Sequence, residues 1–269
     1  MLDVGAYLQR IGLVAGDEPG LHTLHRAHAT SIPFENLDSH RGLAVSLAQE
    51  DLERKLVHER RGGYCFEHNL LLASALEHLG LTVEPMLARV RAGAPPGTVR
   101  PRGHLLLRVT DAAGCAWHAD VGFGLGTLLD PIPFGPDVDA RYEQSGWSFR
   151  VVVEGPELVL QTFLDEDWSD VYAFAPQPVP SVDIETSNWW TCTNPGSPFV
   201  FGLIVARNHA DGGREAMSDW SGPVELTRQS PDRREDNELP REAIAEVLAD
   251  RFELPGFALG PDGRVRACE

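Results

Sequence analysis

The 269-residue sequence predicts an α+β fold in three sequential parts. Three observations predict it. Apolar residues recur at three and four positions up to about residue 80. From Leu81 the period shortens towards two, with turn residues at short intervals. In the last third, helix and strand patterns alternate.

Taken in order, "LDVGAYLQRIGL" is an amphipathic helix. "LHTLHRAHAT" carries His22, His25 and His28 three apart, a polar stripe on a helix. Ser46 to Arg60 ("SLAQEDLERKLVHER") and Phe66 to Leu79 ("FEHNLLLASALEHL", before Gly80) repeat the helical period. "LTVEPMLARVRA", "HLLLRVT", "AWHADVGF", "WSFRVVV", "LVLQTFL" and "DVYAFAP" read as antiparallel strands, most economically a barrel or a small sandwich. Further on, "SPFVFGLIVARN" and "GPVELTRQ" look like strands, "LPREAIAEVLADRF" like a helix opened by proline, and "SPDRREDNEL" like a polar loop. Trp189, Trp190 and Phe199 to Phe201 read as packing residues.

Composition narrows the partners. Forty acidic against 23 basic side chains give a formal charge of −17, which repels nucleic acid and anionic membranes while leaving room for a local basic pocket. No stretch approaches the roughly 20 apolar residues of a membrane helix, and the N-terminus lacks the basic start of a signal peptide, so a cytosolic protein is expected. Four cysteines are too few for a disulfide framework in a chain of this length, which leaves a free thiol for chemistry.

Cys65 is the thiol to examine. In "RGGYCFEHN" two glycines precede it, allowing a tight turn and close approach of a ligand, and a helical pattern begins at once. A cysteine at a helix N-terminus sits where free N–H groups and the helix dipole favour a thiolate, and where the same groups can hold an oxyanion. A nucleophile also needs a base, and the base an orienter. His68, three positions on in the same helix, faces away from a thiol at its end; it and Glu67 read as supporting helix residues. His104 and Asp120 are better placed. "GHLLLRVTDAAGCAWHADVGFG" reads as a hairpin, and a loop of Asp111-Ala112-Ala113 pairs Thr110 with Gly114 and sets His104 directly opposite Asp120. Opposed residues have Cβ atoms roughly 4.5–5.5 Å apart, within reach for a carboxylate to take the imidazole N–H. A Cys-His-Asp set of this kind is acyl-transfer machinery, like the triad of cysteine proteinases. The competing reading, a zinc site from the pairs Cys65/His68 and Cys115/His118, suffers from a gap far outside finger spacing and from opposite-facing side chains in the hairpin.

"SIPFENLD" at 31–38, "RGGYCFEHN" at 61–69, a histidine opening a strand at 104, "DVGFG" at 120–124 and "NPGSPFVFGL" at 194–203 together resemble the arylamine N-acetyltransferases in motif, order and spacing. The resemblance implies an N-terminal helical bundle (1–80) carrying the nucleophilic cysteine, an antiparallel β-barrel (81–185) carrying the histidine and aspartate, and a C-terminal α/β lid (186–269). It implies catalytic roles for Cys65, His104 and Asp120, an acyl pocket at Phe34 and Phe123, and backbone contact with the coenzyme A arm at Gly122. It also implies acetyl-CoA as co-substrate with no metal, and a ping-pong transfer to a small arylamine or hydrazine. Gly103 stands where the family commonly has threonine, and Leu125 where a small residue is usual. A hydrolase, or an amide synthase closing a macrolactam from a carrier-bound thioester, would use the same triad. Self-association is left open by the sequence.

Overall fold

Asp3 starts the first helix, α1 (Val4–Arg10), by accepting the Ala6 N–H on its carboxylate at 3.0 Å, which satisfies one of the donors a helix start leaves free. Helix α2 (Leu21–Ser31), the two-residue strand β1 (Phe34–Glu35), and helices α3 (Leu37–His40), α4 (Gln49–Leu52) and α5 (Cys65–His78) follow. The computed structural model describes residues 2–14, 16, 19–95, 97–137, 140–220 and 222–268. Leu8, Leu24, Leu72 and Leu76 meet in one apolar cluster with Leu107, Val109 and Ala119 of the strands that come next. Each fully buried leucine contributes about 1.5–3 kcal/mol, so this packing, more than intrinsic preference, holds the short α1 in place.

Two expectations for this region are corrected. The helix read from Ser46 to Arg60 is shorter and irregular, because α4 passes into a π-helical stretch at Glu53–His58. Within it Lys55 is buried, with Nζ 2.7 Å from Glu67 Oε1 and 2.8 Å from Asp38 Oδ2. A lysine buried through ion pairs leaves no mark on a hydrophobic periodicity. The α2 histidines are not a solvent-facing stripe: His25 and His28 are fully buried and only His22 is exposed.

Strands β2 (Thr82–Val90), β3 (His104–Thr110), β4 (Ala116–Ala119), β5 (Ile132–Pro133), β6 (Tyr142–Gln144), β7 (Trp147–Glu154), β8 (Glu157–Leu164) and β9 (Asp167–Phe174) form one antiparallel sheet. Its order, β5-β4-β3-β2-β9-β8-β7-β6, makes a nearly closed barrel. Met86, Leu106, Phe149, Val151, Tyr172 and Phe174 fill the interior. The outer face of β3 packs on the helical cluster through Leu107 and Val109, so this strand is apolar on both sides and reads "HLLLRVT" rather than alternating.

Beyond the barrel lie α6 (Ser181–Thr193), α7 (Pro198–Phe201), strands β10 (Ile204–Asn208), β11 (Arg214–Ser218), β12 (Val224–Ser230) and β13 (Arg233–Leu239), helix α8 (Ile244–Phe252), and the small pair β14 (Phe257–Leu259) and β15 (Val265–Ala267). The second sheet runs β1-β10-β11-β12-β13. Ile244, Leu248 and Phe252 of α8 bury against Val205, Met217 and Leu226. The "SPFVFGLIVARN" strand is in fact split into α7 and β10, since Ser197 caps a helical turn with proline at its start. "SPDRREDNEL" is largely strand β13, a charged edge that pairs with β12 through its backbone and needs no apolar face. Helix α6 has no counterpart in the sequence reading. Trp189 on it is 63% exposed, so it is not a packing residue.

Candidate active site

The backbone ahead of Cys65 is packed against its own protein. A Cβ on Gly62 would lie 2.0 Å from the Pro33 carbonyl oxygen, and one on Gly63 would lie 2.7 Å from Glu67 Oε2. The two glycines therefore let the chain pass between β1 and α5, which differs from the ligand approach expected of them. Glu35 N–H donates to the Gly63 carbonyl at 2.7 Å, and Glu67 accepts the Tyr64 N–H at 3.1 Å, closing the first turn of α5. Cys65 is the first residue of that helix and is 3% exposed.

The hairpin that carries the histidine has a different register from the one inferred. Thr110 pairs with Ala116 and Leu107 with Ala119, so Asp111 faces Cys115 and the tip is Ala112-Ala113-Gly114. Gly114 takes a φ of +81°, and Asp111 Oδ1 accepts the N–H groups of both Ala113 and Cys115 at 2.9 Å. A three-residue tip closes on a residue with positive φ, which draws the glycine into the turn and advances the pairing by two positions. A shift of two preserves which face each side chain occupies, so His104 and Asp120 still meet, diagonally. Cys115 is exposed at the turn and His118 is buried, so the two point apart.

His104 Nε2 donates to Asp120 Oδ2 at 2.7 Å, with both residues buried. Nδ1 is then the ring nitrogen left for the thiol. The Cys65 thiol neighbours the His104 imidazole, and its S–H faces the Gly103 carbonyl at 3.6 Å. Burial disfavours charge on the imidazole. The Asp120 carboxylate, its hydrogen bond and the neighbouring thiol outweigh that and push His104 up to about 10. Burial would likewise raise Asp120, yet the His104 charge and the hydrogen bonds it accepts hold it well below the usual carboxylate range.

Sequence reasoning did not find the groups that hold Asp120. Oδ1 accepts from Asn69 Nδ2 at 3.0 Å and from the Gly122 N–H at 2.9 Å, while Oδ2 accepts from Tyr172 Oη at 2.9 Å as well as from His104. His118 Nε2 in turn donates to Tyr172 Oη at 2.7 Å. The Asp120 N–H donates to His25 Nε2 at 3.0 Å, which leaves His25 Nδ1 to donate to the Leu129 carbonyl at 3.1 Å. Burial pushes His25 and His118 down to about 4, so both are neutral around the carboxylate. Asn69 carried a signal, being four residues after Cys65 and on the same helix face. Tyr172 carried none, because its strand is far from Asp120 in sequence. His68 accepts from His28 Nε2 at 3.0 Å and donates to the Pro33 carbonyl at 3.2 Å, in a separate buried chain.

Phe34, Gly122 and Phe123 surround this constellation. The Phe123 ring stands edge-on to His104 at 5.1 Å between centroids. Phe34, buried, lies against Phe199 at 6.1 Å and under Gly124, where a Cβ would come within 3.4 Å of its ring. A Cβ on Gly122 would come 2.7 Å from Cys65 Cα, so the glycine lets the loop after Asp120 close on α5. Two surface cavities, of about 390 Å³ beside Arg214 and Glu215 and about 270 Å³ beside His22 and Trp117, lie away from Cys65.

A buried thiol at a helix start, an imidazole and a carboxylate that orients it, placed between a helical layer and a barrel, fit the class of thiol enzymes that handle acyl groups, transferases and hydrolases alike. The known proteins this chain is similar to narrow the class. The family model described as N-acetyltransferase matches residues 19–256. An arylamine N-acetyltransferase of Mycolicibacterium smegmatis is 42% identical over 214 residues, 76% of each chain. One of Mycobacterium tuberculosis H37Rv is 33% identical over 273 residues, covering 97% of this chain and 93% of that one. The structure of Mycobacterium marinum arylamine N-acetyltransferase in complex with CoA superposes with a TM-score of 0.86 at 34% identity, covering 94% and 93% of the two chains. The chain belongs to the arylamine N-acetyltransferase family.

Proposed function

We propose that this protein moves an acetyl group from acetyl-CoA, through a thioester on Cys65, to the nitrogen of a small arylamine or hydrazine. The observation that carries the reading is the buried Cys65 thiol beside the imidazole of His104, which is itself hydrogen-bonded to Asp120; membership of the family and the likeness to a CoA complex support the donor. In the first half-reaction the Cys65 sulfur attacks the acetyl carbonyl carbon, the bond to the coenzyme A sulfur breaks, and the proton that Cys65 gave to His104 passes to the leaving sulfur. In the second the amine nitrogen attacks the thioester, His104 takes the N–H proton, and the Cys65 sulfur leaves. Asp120 stays ionised and holds the imidazole with Nδ1 towards the thiol. Phe34 and Phe123 line the acyl pocket and keep water from the thioester, which favours transfer over hydrolysis. Gly122 meets the arm of the donor.

Residues 1–80, 81–185 and 186–269 act as three parts of this machine: bundle, barrel and lid. All four cysteines are free, as suits a reducing cytosol, and no helix among the described residues is long and apolar enough to cross a membrane. The test is intact-mass measurement with acetyl-CoA alone and then with an arylamine. One acetyl group per chain, mapped to Cys65 and removed by the amine, is expected. An adduct that the amine leaves untouched while it hydrolyses in buffer would overturn transfer in favour of hydrolysis.

A further inference from the structure

Lys55 is the only lysine in a chain with 22 arginines, and it is buried. It lies on the π-helical stretch Glu53–His58, and such departures from the α-helix frequently accompany functional sites. Three carboxylates surround its ammonium. Nζ is 2.7 Å from Glu67 Oε1 on α5, 2.8 Å from Asp38 Oδ2 on α3 and 4.0 Å from Glu35 Oε1 on β1. Arg61 completes the group from the segment ahead of α5, donating to Glu35 at 2.7 Å and to Asp38 at 3.1 Å. Glu35 and Asp38 therefore share a second cation. Glu67 does not: among the described residues Lys55 is the one cation paired with it.

The other oxygen of Glu67 reaches the nucleophile's turn. Oε2 accepts the Tyr64 N–H at 3.1 Å, and Tyr64 is the cap residue that leads into Cys65, the first residue of α5. One carboxylate thus joins the buried ammonium to the backbone on which the thiol sits. A hydrogen bond to an ionised acceptor is roughly twice as strong as one to a neutral acceptor, so the charge on Glu67 sets how firmly that turn is held. We infer that Lys55 is a positioning residue for the Cys65 thiol: its ammonium holds the Glu67 carboxylate on the Tyr64 N–H and so fixes the turn that presents Cys65 to His104, a role that rests on the proposed chemistry of Cys65.

The surroundings of Glu67 give this role a pH signature. Burial pushes Glu67 up from the usual carboxylate range and Glu35 adds to the push, while Lys55 and the Tyr64 N–H pull it back. Asp38 is held low by Lys55 and Arg61, burial keeps His68 neutral, and the Tyr64 hydroxyl, kept protonated by burial, donates to Asn188. Without Lys55 only one N–H opposes the push, and Glu67 takes up a proton at neutral pH.

The experiment follows modification of Cys65 by acetyl-CoA and, separately, by iodoacetamide from about pH 6 to 9. Wild type, Lys55→Met and Glu67→Gln are compared by intact mass, with circular dichroism as the fold control. Lys55→Met is expected to react about tenfold more slowly near pH 7, with the gap narrowing towards pH 9 as Glu67 regains its charge. Glu67→Gln keeps a neutral oxygen for the N–H. A fall of about threefold near pH 8 is expected for it, narrowing towards pH 6 as Glu67 of wild type takes up its own proton. The two ratios to wild type thus slope in opposite directions with pH, whereas a purely structural role leaves both level. Level ratios, or Lys55→Met reacting at the wild-type rate, overturn the inference. Should Lys55→Met fail to fold, the Glu67→Gln ratio decides alone: narrowing towards pH 6 upholds the inference and a level ratio overturns it. Iodoacetamide needs no acyl donor, so sloping ratios with it and no acetyl adduct on wild type would sink the proposed reaction while upholding the role of Lys55.

Discussion

At the residue scale, the carboxylate of Asp120 is fully committed. Four donors, from Asn69, Gly122, Tyr172 and His104, occupy its two oxygens. That number matches the lone-pair sites of a carboxylate and explains how an ionised acid survives full burial. Tyr172 links two of these layers, since it gives its own proton to Asp120 and receives one from His118. Tyr172→Phe removes one donor from the acid and strands the His118 N–H in the barrel interior. A loss of about 1–3 kcal/mol in urea-denaturation free energy is predicted, and an unchanged value would mean that water replaces the hydroxyl. At this scale the sequence was informative for the side chains that lie in short motifs. Cys65, His104 and Asp120, which the structure brings together, stood out through the helix start at 65, the 104–120 hairpin and the family motifs; Tyr172, His118 and His25 did not, because long-range convergence in a barrel leaves no local pattern.

At the scale of elements, the site depends on how closely three pieces of backbone approach: the α5 start, the β3 start and the loop after β4. Gly122 lets the loop after β4 close on α5, and Gly62 and Gly63 let the chain into α5 pass β1, each with a protein atom within 2.7 Å of where a Cβ would stand. Gly122→Ala is predicted to push the 120–124 loop away from Cys65 Cα, costing about 1–3 kcal/mol of stability by overpacking and slowing acylation more than tenfold. Acylation at the wild-type rate would show that the loop yields without moving His104 or Asp120. The helix and barrel strands were legible from their periods. The hairpin register was off by two because Gly114 supplies the positive φ of the turn, and β13 was missed because an exposed edge strand carries charges on both faces. Helix α6 was missed because its mixture of polar and aromatic residues shows no single apolar stripe.

At the scale of the whole molecule, coupling between His104 and Asp120 ties stability to pH. Asp120 is held low, so its contribution is complete above about pH 4 and is lost in stronger acid. His104 is pushed up to about 10, so its contribution is complete below about pH 6.5 and fades as pH rises through 10. The stability difference between wild type and His104→Gln is therefore predicted to be widest from about pH 4 to 6.5 and to shrink steadily towards pH 10. Urea denaturation at several pH values reads it directly, and a difference that stays level to the alkaline end would mean that the imidazole does not carry a charge opposite Asp120. The three-part order of the chain was visible from the change in period, whereas the return of β1 into the second sheet, where it pairs with β10, was not.

The central claim is that His104 activates Cys65 for acyl transfer. Single-turnover acylation of wild type and His104→Gln by acetyl-CoA, followed by intact mass with circular dichroism as a fold control, tests it most directly. The account predicts rapid formation of one acetyl adduct on Cys65 in wild type and none on the same time scale in a folded His104→Gln protein. Acylation of that variant at the wild-type rate would contradict it.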